Sequence, residues 1–123
     1  MTGNEYQTLA MRTNDGKSTI RLDYFLQDGC IDIGGILNGC LGLAGESGEF
    51  LDMIKKWVFH EKPLDEDHAK KELGDALWYC AEIAHSFGWD LDDIMRLNID
   101  KLNARYPDGF DAERSLHRAQ GDV

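Results

Sequence analysis

Proline and cysteine are both scarce: two prolines and three cysteines occur in 123 residues. Cys30, Cys40 and Cys80 are odd in number and lack the close pairing of a zinc or disulfide framework. They read as reduced, mostly buried small hydrophobes in a cytoplasmic protein. No uncharged apolar run approaches the ~18 residues of a membrane span, and the N-terminal region has no basic start followed by a continuous apolar segment. Neither a signal peptide nor a membrane partner is expected. Basic residues are few as well, since 13 Lys plus Arg face 23 Asp plus Glu, a formal charge of -10. That balance opposes attraction to a phosphate backbone and excludes a nucleic-acid polymer as the expected partner. A small phosphorylated substrate stays open, because divalent metals invert the local field where carboxylates converge.

At 13.9 kDa the chain is the size of one domain, read here as spanning residues 1–123. Surface scaling predicts that about two thirds of the extended chain's area is buried on folding. The periodicity is helical throughout, and the expected fold is all-α: a compact bundle of four or five helices. A first short helix covers residues 4–14 and stops at Asp15-Gly16. Residues 17–32 read as a connection with one ambiguous element, an extended piece at 19–25. A long apolar pattern then runs over residues 33–59, with Ile36, Cys40, Leu43, Phe50, Ile54, Trp57 and Val58 on one side. Gly39, Gly42, Gly45 and Gly48 recur inside it, each costing about 1 kcal/mol against alanine in a helix. Either a neighbouring helix or a ligand approaches them closely, or the helix breaks near residues 42–45. Pro63 marks a turn, and Asp65 or Asp67 is the candidate cap of the next helix. That helix runs to Phe87 with Gly88 at its end, and its apolar stripe is Ala69, Leu73, Ala76, Leu77, Cys80, Ile83, Ala84 and Phe87. Asp90 opens a last long helix reaching Tyr106, and residues 111–123 form a short helix or a frayed end.

Four acids stand out as two pairs at i,i+3, Glu46 with Glu49 and Glu72 with Asp75. On a helix this spacing puts both side chains over one face. Each pair flanks an apolar stripe, so antiparallel packing across the Pro63 turn would bring the two acidic edges together. Like charges gathered there are destabilising unless neutralised, and a hard divalent cation would do so. The alternative is that all four are solvated surface acids. Asn98, Lys101 and Arg105 share a face of the last helix and suit phosphate oxygens, although a basic helix end also complements the dipole. Lys56, on the side of Glu49, is a further phosphate candidate. Tyr79 and Asn38 are candidates for stacking on a base and reading its edge. His60, His68, His85 and His117 read as turn, surface or helix-flank residues.

The stretch Gly42-Leu43-Ala44-Gly45-Glu46-Ser47-Gly48-Glu49 is followed 22 residues later by Glu72-Leu73-Gly74-Asp75-Ala76-Leu77-Trp78-Tyr79, and then by Asn98, Lys101, Arg105, Tyr106 and Pro107. This combination resembles the MazG-like all-α nucleoside triphosphate pyrophosphohydrolases, across residues 37–110. The resemblance implies a helical bundle assembled as a homodimer or homotetramer with shared active sites. It implies cleavage of a nucleoside triphosphate between the α and β phosphates with Mg2+, or Mn2+ as a substitute. Glu46, Glu49, Glu72 and Asp75 would form the catalytic metal shell, while Asn98, Lys101 and Arg105 would hold phosphate or organise the neighbouring subunit. Some relatives carry a further acid where this chain has Phe50. Two other functions compete: a nucleotide diphosphatase releasing different phosphate products, and a non-enzymatic acidic helical partner module.

Overall fold

The computed structural model describes residues 1–117, and these form six α-helices and no strand. The helices are α1 (Gly3–Met11), α2 (Ser18–Asp28), α3 (Ile33–Phe59), α4 (Glu66–Phe87), α5 (Leu91–Arg105) and α6 (Ala112–Leu116). The all-α class is as expected, but there is one helix more than four or five. The addition is α2, over the segment whose pattern is ambiguous between a connection and an extended piece. Its N-cap Lys17 makes no side-chain cap bond, while Gly29 closes it with a left-handed backbone (φ 66). The short terminal helix is α6, and residues 118–123 of that expectation lie outside the described residues.

The centre of the molecule is an antiparallel hairpin of α3 and α4, among the described residues the one pair of helices packed along its length. At about 1.5 Å rise per residue α3 is roughly 40 Å long, and it runs without a break through all four glycines. The Asp32 side chain caps its start by accepting the Gly35 N–H at 2.9 Å. After the turn, Asp65 caps α4 by accepting the His68 N–H at 3.0 Å. At the far end Gly88 adopts φ 70 and donates to the His85 carbonyl, while Trp89 N–H reaches Ala84. These bonds satisfy last-turn carbonyls that would otherwise be orphaned.

The expected packing faces need correction. On α4 the buried residues are Ala69, Glu72, Ala84 and Ser86, whereas Leu73 and Leu77 are 49% and 69% exposed. The seam with α3 is therefore rotated away from the largest apolar side chains and takes in an acid. On α3 the buried pair is Ile36 and Gly39, while Cys40, Trp57 and Val58 are exposed. Cys30 is exposed too and Cys80 is half-buried; all three cysteines are free, but they are not mostly buried.

The chain is also less compact than expected. Its accessible surface is 10123 Å², against about 6,700 Å² for a compact monomer of this mass and about 20,000 Å² for the extended chain. About half of the extended area is buried rather than two thirds. Much of the excess is apolar: α5 leaves Met95, Leu97 and Ile99 more than half exposed, and its contact with the hairpin is marginal. No helix is long and apolar enough to cross a membrane among the described residues.

Candidate metal centre

Four cross-links set the register of the hairpin. Near the start of α3, Ser86 Oγ donates to Asp32 Oδ2 at 3.4 Å. Two turns on, the Asn38 amide donates to both carboxylate oxygens of Glu82, at 3.1 and 3.0 Å. Next come the glycines. A Cβ on Gly39 would lie 2.6 Å from Ile83 Cγ1, and one on Gly42 would overlap the Tyr79 ring. Absence of a side chain at these two positions lets the helices approach closely enough to bring the next turn's acids together. One further turn along α3, Glu46 meets Glu72 and Asp75 of α4, with one carboxylate oxygen from each lying within 4.8 Å of the others.

Burial is graded across this group: Glu72 is buried, Glu46 is half-buried and Asp75 is exposed. Burial pushes the Glu46 carboxyl above its ordinary value. A hydrogen bond with Glu72 and the charges of Glu49, Glu72 and Asp75 push it further in the same direction. A protonated carboxyl is one answer to crowded acids, and a cation is the other. Glu72 points to the cation. Its side chain is 9% exposed, His68 Nε2 lies 2.7 Å from Oε1, and Oε2 is buried with no hydrogen-bond partner. Such an orphaned acceptor is costly unless a ligand completes it. Three convergent carboxylate oxygens, one side open to solvent and no thiolate in the group, form a donor set that fits a hard divalent ion retaining water.

Glu49 is exposed and lies outside the three-acid cluster, yet it borders the groove that begins there. This groove has a volume of about 490 Å³ and runs from Glu72 toward the interhelical turn, between Gly45 and Gly48 on one side and Lys62, Pro63 and His68 on the other. A Cβ on Gly45 or Gly48 would meet nothing within 4 Å. The four glycines thus divide: Gly39 and Gly42 admit a neighbouring helix, while Gly45 and Gly48 leave a groove wall without side chains.

Of the other candidates, Lys56 lines this groove and pairs with Asp52 at 2.5 Å. Its hydrogen bond and that of Lys55 hold the Asp52 carboxyl below its ordinary range. Asn38 lies two turns from Glu46 with its amide engaged by Glu82, and Tyr79 packs its ring on Gly42 and edge-on against Trp78. The structure does not bring Asn98, Lys101 or Arg105 to the acids within one chain. All three lie on α5, where Arg105 sits over the Tyr106 ring at 5.8 Å. Sequence reasoning missed His68 and Lys62 as groove residues. For His68 a signal was present, since it stands four residues before Glu72 on the same helix.

The profile of the MazG nucleotide pyrophosphohydrolase domain matches residues 37–110. The chain is 31% identical over 97 residues to Gene 37 protein of Mycobacterium phage L5, a match that spans 76% of this chain and 80% of that protein. No solved structure matches it.

Proposed function

Since the chain belongs to the MazG nucleotide pyrophosphohydrolase domain family, we propose that it hydrolyses a nucleoside or deoxynucleoside triphosphate between the α and β phosphates in an Mg2+-dependent reaction. The products are the nucleoside monophosphate and pyrophosphate. The observation that carries this reading is the Glu46, Glu72 and Asp75 cluster with its orphaned Glu72 oxygen, inside the matched region.

Glu46, Glu72 and Asp75 would hold the ion, with Glu49 at the edge of the groove as the remaining member of the catalytic set. When bound, Mg2+ supplies charge neutralisation at the phosphate oxygens and makes water a better nucleophile. Glu49, exposed and not committed to the cluster, orients the attacking water and accepts its proton. Water adds to phosphorus, the bond to the bridging oxygen breaks, and pyrophosphate leaves. No covalent enzyme intermediate is needed. Lys56 supports phosphate from the groove wall, its charge shared with Asp52. Asn98, Lys101 and Arg105 contribute from α5 of a second copy, in a homodimer or homotetramer. That arrangement is supported by the uncovered apolar residues of α5 and the large surface of the single chain. Asn38 and Tyr79 act from the hairpin seam, as its tie to Glu82 and its contact with Gly42, and only secondarily on a base.

The test is product analysis across a panel of triphosphates, with Mg2+, with Mn2+ and with metal omitted. Metal-dependent release of monophosphate and pyrophosphate is expected. Inorganic phosphate as the product would indicate the diphosphatase alternative, and no turnover under any condition would indicate a partner module; either overturns the proposal. Asp75→Asn and Glu49→Gln should each lower kcat by at least about a hundredfold, the scale of a lost acid–base or electrostatic group, with the helical circular dichroism unchanged.

A further inference from the structure

His68 stands near the start of α4 and is half exposed, which alone would mark it as a surface residue. Its surroundings set it apart. The backbone is fixed, because its N–H is the one that the Asp65 cap accepts at 3.0 Å. From that anchored position Nε2 reaches 2.7 Å from Glu72 Oε1, one helical turn further on. Glu72 is the acid with the least freedom, buried in the seam with Oε2 unpartnered. Its two oxygens are therefore divided: an imidazole lies against one, and the other is buried without a hydrogen-bond partner.

An i,i+4 histidine–glutamate pair is by itself an ordinary helix contact. Fixing the orientation of a metal ligand is different, because such outer partners typically govern about 10- to 100-fold in metal affinity. We propose that His68 is a positioning residue, holding Glu72 by Oε1 so that Oε2 stays presented to the divalent ion. The proposal rests on the metal reading of the previous section. It does not require a charged ring, since the neutral tautomer with its proton on Nε2 also donates to Oε1.

The experiment is a Mn2+ titration followed by electron paramagnetic resonance on the full chain, comparing wild type, His68→Ala, His68→Gln and Glu72→Gln, with metal-free melting curves for each. His68→Ala should weaken Mn2+ binding by about 10- to 100-fold while its metal-free melting stays cooperative. Glutamine, able to donate from its amide over the same turn, should restore most of the affinity. Wild-type affinity in His68→Ala together with weakened binding in Glu72→Gln overturns the role of His68 and leaves the metal site standing. Wild-type affinity in both variants, or no binding by the wild type, overturns the metal site and His68 with it. Equal loss in His68→Ala and His68→Gln also overturns the proposal, because a hydrogen-bond donor would then not be what matters.

Discussion

The α3–α4 hairpin and α5 carry similar helical patterning but use it in opposite ways. In the hairpin the largest apolar side chains are not what meets across the seam. Apart from Ile36, glycine, alanine, serine and a buried glutamate do, and the helices come close enough for Gly39 and Gly42 to touch Ile83 and Tyr79. On α5 the apolar residues are large and regularly spaced, yet they remain uncovered. The hairpin is thus a unit whose geometry is fixed within one chain, and it holds the acids. The helix that holds Asn98, Lys101 and Arg105 keeps its apolar residues uncovered in the single chain. The acid cluster and the basic face of α5 lie on separate parts of the molecule, and different mutations should disturb each.

Gly42→Val is the severest way to break the contrast. Its side chain would enter the space of the Tyr79 ring, and since neither helix backbone can retreat far, overpacking of about 1–3 kcal/mol or more is expected. Gly45→Ala, three residues on, meets open space and should stabilise by up to about 1 kcal/mol through helix propensity. Urea denaturation of the two variants reads the difference directly, and loss of stability in both would mean that the groove wall is packed after all.

A smaller effect is expected on α5. Ile99→Lys places a charge on a residue that is 55% exposed in one chain, so the fold of that chain should lose no more than about 0.5 kcal/mol. Sedimentation should nevertheless show a fall in mass, and melting should become independent of protein concentration. A wild-type protein that is fully active and of single-chain mass at micromolar concentration would end the idea of a shared site.

The smallest effect concerns pH. The Glu46 carboxyl is held above the ordinary value of 4.5 by burial and by its acidic neighbours. Folded protein therefore keeps a proton that the unfolded chain has released. This contribution to stability is complete below about pH 4.5 and is lost as pH rises through the raised value. Asp52 behaves oppositely, its contribution being lost as pH falls through a value below 3.8. In chelator, Tm should decline with rising pH more steeply for wild type than for Glu46→Gln, and parallel curves would remove the acidic crowding from the account.

The sequence was most legible where a single side chain decides a boundary. Asp65, Gly88 and Asp90 each end or begin a helix as read, because capping is local chemistry. It was less legible at α2, whose β-branched and aromatic residues and uncapped start imitate an extended segment, with Gly29 as the clearest contrary signal. The hairpin seam was misplaced for a different reason. Wheel geometry assigns the inside to the largest apolar arc, but Leu73 and Leu77 are left outside while Glu72 goes in. The pairing of Glu46 with Glu72 and Asp75 was readable from i,i+3 spacing and the Pro63 turn. The departure of Glu49 from that group depends on how the two helices are rotated against each other and could not be read from spacing, whereas the contact of His68 with Glu72 has its signal in their i,i+4 separation.

A helix whose glycines serve two purposes has a consequence for how such a protein changes over generations. Positions 39 and 42 are constrained by Ile83 and Tyr79, whereas 45 and 48 border only the groove. A methyl gained at either of the latter narrows what can enter without loosening the seam. The width of the groove and the packing of the seam are thus set by different residues of one helix.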